Sequence, residues 1–289
     1  MLHTITNGIL TVTVAERGCE LQSITANGNE YMHDGSPRFW PKKAPIMFPI
    51  CGRFFDGKYI YRGKEYEMGT HGFARNMDFS LKENSGSQMS FVLESNAQTK
   101  ESYPFDFIFT VTYVLDKNRL NVIYNVTNTD SKDIYFALGG HPAFALPLGN
   151  EGEFEDCLLE FSKPCRAKRV DFSPTSFRTG NDSLYCGELK KIELDHSLFD
   201  SSAIFLYDTS KSVTLRSSKS ARSIRIDFED FKYIGFWHMA KTQANYLCIE
   251  PWTSLPSYDG NIEDIEQKKD MQILSPNQSF EIGYSINVE

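Results

Sequence analysis

The chain has 289 residues, 40% of them apolar and 13% aromatic, a composition that supports a large buried core and rules out a disordered chain. Thirty Lys and Arg against 38 Asp and Glu leave a net charge of −8, with no dense basic block, so nucleic acid and anionic membranes lack their electrostatic footprint as partners. Length alone allows one or two domains at about 150 residues each.

From the N-terminus, Met1 to Leu10 has neither a basic start nor a continuous apolar run, and no later window approaches the ~20 apolar residues of a spanning helix. The expectation is a cytoplasmic protein. Leu10, Val12 and Val14 then alternate with Thr11 and Thr13, the period of a strand with one buried face. Lys58 to Met68 reads as a hairpin. Phe105, Phe107, Phe109, Val111, Tyr113 and Leu115 alternate in the same way, and Asp116 to Arg119 makes a turn into Leu120, Val122, Tyr124 and Val126. A second polar turn, Asn128 to Asp133, precedes Ile134 to Leu138, and the three successive strands predict a meander. Lys163 to Arg178, with Pro164 and Pro174 among charges, reads as a long surface loop. Short strands follow at Ala203 to Tyr207, Val213 to Arg216, Ile224 to Phe228, Tyr233 to Trp237 and Tyr246 to Ile249. Ile262 and Ile265 suggest one short helix within Asn261 to Lys269.

No linker, repeat or low-complexity tract divides the chain. The expectation is therefore one all-β domain over residues 1–289, built as two packed antiparallel sheets. The six cysteines, Cys19, Cys51, Cys157, Cys165, Cys186 and Cys248, include no Cys-x-x-Cys pair and read as separate thiols, with Cys248 a small core residue.

Chemistry concentrates in a few places. Glu250 follows the apolar run Tyr246 to Ile249 and precedes Pro251 and Trp252, so it reads as a strand-exit carboxylate. Partial desolvation there raises a carboxylate's pKa and makes it a better base; a surface ion pair is the alternative. His141 stands after Gly139 and Gly140 and before Pro142, where glycines permit close approach of a ligand, or serve only a bend. Thr70 to Arg75 supplies His71, Phe73 and Arg75 on one face of an extended segment. Arg53 is a further donor after a buried run, although either arginine can instead pair with one of the acids. Phe39, Trp40, Trp237 and Trp252 are read first as core. A metal site of two His and one Glu matches the residue types but lacks any local His-x-x-x-His spacing.

Taken together and in order, Cys51-Gly52-Arg53, His71-Gly72-Phe73-Ala74-Arg75, Gly140-His141-Pro142, His196 to Phe199, Gly235-Phe236-Trp237 and Cys248 to Trp252 resemble the aldose 1-epimerase, or galactose mutarotase-like, family, most closely its LacX-like branch. The resemblance implies a large β-sandwich with an open sugar cleft and neither a metal nor an organic cofactor. It implies Glu250 as general base, His141 as general acid, and His71 and Arg53 as sugar-hydroxyl ligands, with Arg75 a further ligand from the same motif. Trp237 is the aromatic expected to stack on the sugar's C–H face. A sugar-binding aspartate of better-known members has no clear counterpart, and Asp200 is the candidate. The partner implied is a small-molecule sugar. A mutarotase of sugar phosphates is the rival, with Arg53, Arg75, Lys42 and Lys43 as a phosphate clamp. A noncatalytic carbohydrate-binding protein is the alternative from another class, while a glycosidase would need a second facing carboxylate.

Overall fold

The computed structural model describes residues 1–289. It is about 8% helical and 47% strand, which makes the protein all-β as the alternating pattern requires. Two large antiparallel sheets dominate, one of nine strands and one of eight, flanked by smaller sheets.

In the nine-stranded sheet Phe107–Asp116 and Arg119–Asn128 form its longest hairpin, in register from Phe107↔Asn128 to Asp116↔Arg119. Phe107, Phe109, Val111, Tyr113 and Leu115 all point inward, with Leu120, Val122, Tyr124 and Val126 beside them. Alternation puts every second side chain on the core face, so register is specified by burial. These residues belong to a cluster of 67 buried side chains that runs from Ile5 to Val288.

Strands of the eight-stranded sheet read differently. Tyr246–Trp252 is buried at every position, and Tyr233–Trp237 at all but the last. Such strands have cover on both faces and show no clean alternation.

Four expectations change. The strand carrying Glu250 continues through Pro251 to Trp252, so Glu250 is inside the strand and not at its exit. The proline is tolerated because, between the Gly139↔Trp252 and Ala143↔Cys248 pairs, no further ladder pair forms on that side to demand its missing N–H. The predicted meander stops after two strands: the C-terminal strand Ser279–Val288 occupies the free edge of Arg119–Asn128, and Ile134–Phe136 pairs with Gln272–Leu274. Asn261 to Lys269 forms turns, not a helix, held by the Ile60 N–H on the Glu263 carbonyl (2.9 Å) and the Ile265 N–H on the Ile60 carbonyl (2.9 Å). The one α-helix is Ala97–Ser102, which Asn96 caps by accepting the Thr99 N–H. The span from Lys163 to Arg178 is not simply surface loop either. It carries the end of Cys157–Cys165 and the short strand Lys168–Arg169, and it buries Ala167, Val170, Phe177 and Arg178.

Phe109 has its ring stacked on Phe48 at 4.5 Å and further edges against Phe79 and Tyr124, all buried. Phe109→Ala is expected to cost about 3–5 kcal/mol of stability, read from the denaturant midpoint at unchanged slope.

Candidate active site

All six sequence candidates, Arg53, His71, Arg75, His141, Trp237 and Glu250, line one cleft of about 520 Å³. Its floor is made by Glu250 and His141. Glu250 lies across from Gly235 in the neighbouring strand and is 1% exposed. His141 sits in the chain segment that passes from the Gly139–Gly140 strand to the Ala143–Ala145 strand, both of which pair with the strand of Glu250. That crossing brings His141 Nε2 to 3.3 Å from Glu250 Oε2.

Burial opposes charge on both groups. It drives Glu250 well above the usual carboxylate range, an effect partly offset by the nearby Trp252 indole N–H, which does not complete a hydrogen bond. It drives His141 well below the usual histidine value, with the neighbouring His71 and Arg75 adding to the effect. The net-neutral pair, carrying one proton between the two side chains, is therefore favoured over states with both protons or none.

The two glycines before His141 serve the core, not a ligand. A Cβ on Gly139 would lie 2.9 Å from Met47 Cε, and one on Gly140 would lie 2.6 Å from the Tyr284 hydroxyl. The reading that they let a ligand approach the backbone is corrected accordingly.

His71 is fixed by a close lacing of two segments. Its N–H donates to the Gly52 carbonyl at 2.6 Å, and its Nδ1 accepts the Gly52 N–H at 3.1 Å. With Nδ1 occupied as an acceptor, the neutral ring carries its proton on Nε2 and is a donor there. The geometry requires φ of +64° at His71, a conformation costing about 1–3 kcal/mol for a non-glycine residue, and +73° at Gly72. Only glycine fits the second position, because a Cβ would lie 2.2 Å from the Phe48 carbonyl oxygen. Burial and the charges of Arg75 and Arg53 lower the His71 pKa to about 3.

Neither cleft arginine has a carboxylate within 4.0 Å, so the ion-pair reading fails for both. Arg53 donates to the Thr175 carbonyl and lies 4.6 Å over the Phe177 ring, tying the 172–178 segment to the cleft. Phe172 and Ser176 of that segment line the cavity, a contribution that its charged, proline-containing sequence concealed. Arg75 is half-buried, and burial lowers its pKa. Lys42 and Lys43 do not join it: Lys42 lies 3.7 Å from Glu20, and Lys43 donates to the Gln22 carbonyl at 3.0 Å.

Trp237 stands edge-on to His141, while Trp40 stacks on the same imidazole at 4.8 Å and 30°. Trp40 lines the cleft, which core assignment missed, while Trp252 is buried in a core cluster as expected and also lines the cleft. The prolines at 37 and 41 around Arg38-Phe39-Trp40 were the available signal that Trp40 lies in a loop. Asp200 is exposed and accepts the Lys241 N–H at 2.9 Å; its neighbours Phe199, Ser201 and Ser202 face the cavity instead. The metal-type constellation also differs from expectation, since His141 and Glu250 are joined by Cys248, not His71, with ligand atoms all within 4.8 Å. All six cysteines are unpaired.

A buried carboxyl and imidazole in contact on the floor of a cleft, with histidine and arginine donors around them, form an arrangement chemically suited to acid–base exchange on a polar small molecule. The aldose 1-epimerase family model matches residues 1–262, and the chain belongs to that family. It is thus an isomerase of the mutarotase type acting on a small-molecule sugar. Over its whole length it is 33% identical to Protein LacX (plasmid) of Lactococcus lactis subsp. lactis, 99% of which it covers. A galactose mutarotase related enzyme from Lactobacillus acidophilus superposes with a TM-score of 0.94 at 32% identity, covering 100% of this chain and 97% of the other. A galactose mutarotase-like protein from Lactobacillus casei gives 0.93 at 34% identity, with 100% of both chains covered. No helix is long and apolar enough to cross a membrane.

The lowered pKa of His71 has a consequence for stability. The unfolded chain takes up a proton on this ring near pH 6.5 and the folded chain only near 3, so stability present above 6.5 is lost as pH falls toward 3. His71→Asn, which keeps an acceptor for Gly52, is expected to flatten that dependence by about one proton in denaturant titrations at successive pH values.

Proposed function

We propose that this protein interconverts the α and β anomers of an aldose, with Glu250 as general base and His141 as general acid. The observation that carries the reading is their 3.3 Å contact on the floor of the cleft, where burial opposes charge on each. Glu250 takes the proton of the C1 hydroxyl while His141 protonates the ring oxygen. The ring opens to the aldehyde, the C1–C2 bond rotates, and the transfers run in reverse to close the other face.

The two oxygens involved are bonded to the same carbon, so a base and an acid in mutual contact can address both from one side. During opening the pair passes from carboxylate and imidazolium to carboxylic acid and imidazole. Closing reverses the change, so both forms are working states of one cycle. Desolvation raises the first pKa and lowers the second, which counters the intrinsic preference for the charged form and brings the two forms closer in energy. His71, whose Nε2–H is a fixed donor, Arg53 and Arg75 hold hydroxyls away from C1, and Trp237 offers its face to the sugar's C–H surface. The residues from 1 to 289 act as one domain, a reading supported by the buried cluster that joins Ile5 to Val288.

A second reading, a phosphorylated sugar, is favoured by one observation: the half-buried Arg75 guanidinium has no acid partner and bears a desolvation cost that an anion would relieve. Arg75→Ala separates the two. For a phosphorylated substrate, KM rises about 10–100-fold for the phosphorylated sugar and little for the neutral one; for a neutral substrate both change alike.

Freshly dissolved single-anomer sugar, followed by polarimetry or anomer-resolved NMR, tests the catalytic assignment. Glu250→Gln keeps shape but cannot accept the proton, so interconversion should fall by about 10²–10⁴-fold with binding retained, and His141→Asn should fall comparably. Near-normal turnover by folded Glu250→Gln would remove Glu250 as the base, whereas a wild-type protein that binds sugar without interconverting its anomers would be a sugar-binding module. The pH profile is a further check. A pair that keeps one proton predicts a flat optimum through neutrality, with an acid limb below 6.5.

A further inference from the structure

We propose that the floor of the cleft is also an inhibitory site for a thiophilic divalent cation such as Zn²⁺, held by Cys248, His141 and Glu250. Cys248 and Glu250 are two residues apart on one strand and so share a face. Cys248 pairs with Ala143, two residues beyond His141, which places the imidazole over the same patch. One ligand atom from each of the three lies within 4.8 Å of the others, a spacing that small side-chain adjustments close around a tetrahedral ion.

Donor chemistry and charge both suit such an ion. A sulfur, a nitrogen and a carboxylate oxygen form a zinc- or cadmium-type set, with the fourth position left to water from the cleft. Access exists because His141 and Glu250 line the cavity. His141 Nδ1 is buried without a hydrogen-bond partner, and Nε2 lies 3.3 Å from Glu250 Oε2. Binding releases the Cys248 thiol proton and the proton of the His141 and Glu250 pair to bulk water. What remains is a dication with one thiolate, one carboxylate and one neutral imidazole, a net charge of zero that a desolvated site tolerates.

The effect on turnover rests on the proton-exchange reading above, because the ion would occupy the atoms that exchange protons. Binding itself does not, which keeps the two separable. The experiment uses chelator-treated protein titrated with Cd²⁺, read by the ultraviolet thiolate-to-cadmium charge-transfer band, and with Zn²⁺, read by anomer interconversion. Expected are a band saturating at one equivalent, full activity of the chelated protein, and Zn²⁺ inhibition that chelator reverses.

Cys248→Ser, outside the catalytic pair, should retain turnover, lose the band and raise the Zn²⁺ concentration for half-inhibition by about 100-fold. Cys51→Ser should change none of these. Glu250→Gln should keep the band while weakening Cd²⁺ binding by about 10–100-fold, which tests the site even if Cys248→Ser does not fold. An absent band, a band unchanged in Cys248→Ser, or activity that requires added metal would overturn the proposal. Should every form be inactive while the band behaves as expected, the mutarotase reading fails and the cation site stands.

Discussion

Two ionisable side chains in contact beneath a cleft, each held where water cannot stabilise its charge, set the terms for the site around them. Glu250 and His141 sit 3.3 Å apart, and both are buried. Isolated in such a place, either charge would be costly, but together they carry one proton in a net-neutral unit. The sheet makes this possible. Glu250 is locked within a strand paired on both sides, and His141 is delivered by the segment crossing between two partners of that strand. The aromatic walls matter for the same reason, since Trp40 and Trp237 pack against the imidazole and leave it little freedom to turn away.

Around that pair the cleft is positive on one side. Arg53 and Arg75 have no acid partners, and burial, with their charges adding to it, lowers the His71 pKa to about 3. His71 is therefore a neutral ring whose Nε2–H is a donor, its tautomer set by the Gly52 N–H. Two histidines 5.6 Å apart between ring centroids thus sit in different settings, one accepting a backbone N–H and one against a buried carboxyl. Placing His71 this way costs backbone strain, which the hydrogen bonds to Gly52 and the close packing of Gly72 under Phe48 offset.

Nearness of Cys248 to the pair follows from the same geometry. The strand that presents Glu250 to the cleft presents Cys248 on the same face, so the thiol comes with the carboxylate. In the sequence Cys248 reads as a small core residue, and it is buried as that reading requires. Its spatial neighbours are what change its chemical meaning.

Alternating runs such as Phe105 to Leu115 and Leu120 to Val126 were enough to establish an all-β chain, because burial on one face imposes period two wherever the other face is wet. The same logic weakens where both faces are covered, and there the strand of Glu250 was ended too early. Ile262 and Ile265 suggested a helix because a three-residue spacing also suits a turn that inserts one side chain, as Ile265 does. The ordered motifs around Arg53, His71, His141, Trp237 and Glu250 pointed to residues that the fold brings to one cleft, since motif identity is local. Local sequence could not determine that Ser279–Val288 would take the edge expected for Ile134 to Leu138, that Asp200 would turn outward, or that Trp40, Phe172 and Ser176 would line the cleft. The sequence by itself determined the kinds of chemical group available and the period of the strands, both properties of residues and their near neighbours. Only the tertiary structure decided which groups meet, because contact between His141 and Glu250, and the desolvation that shifts their protons, arises from strand pairing between distant parts of the chain.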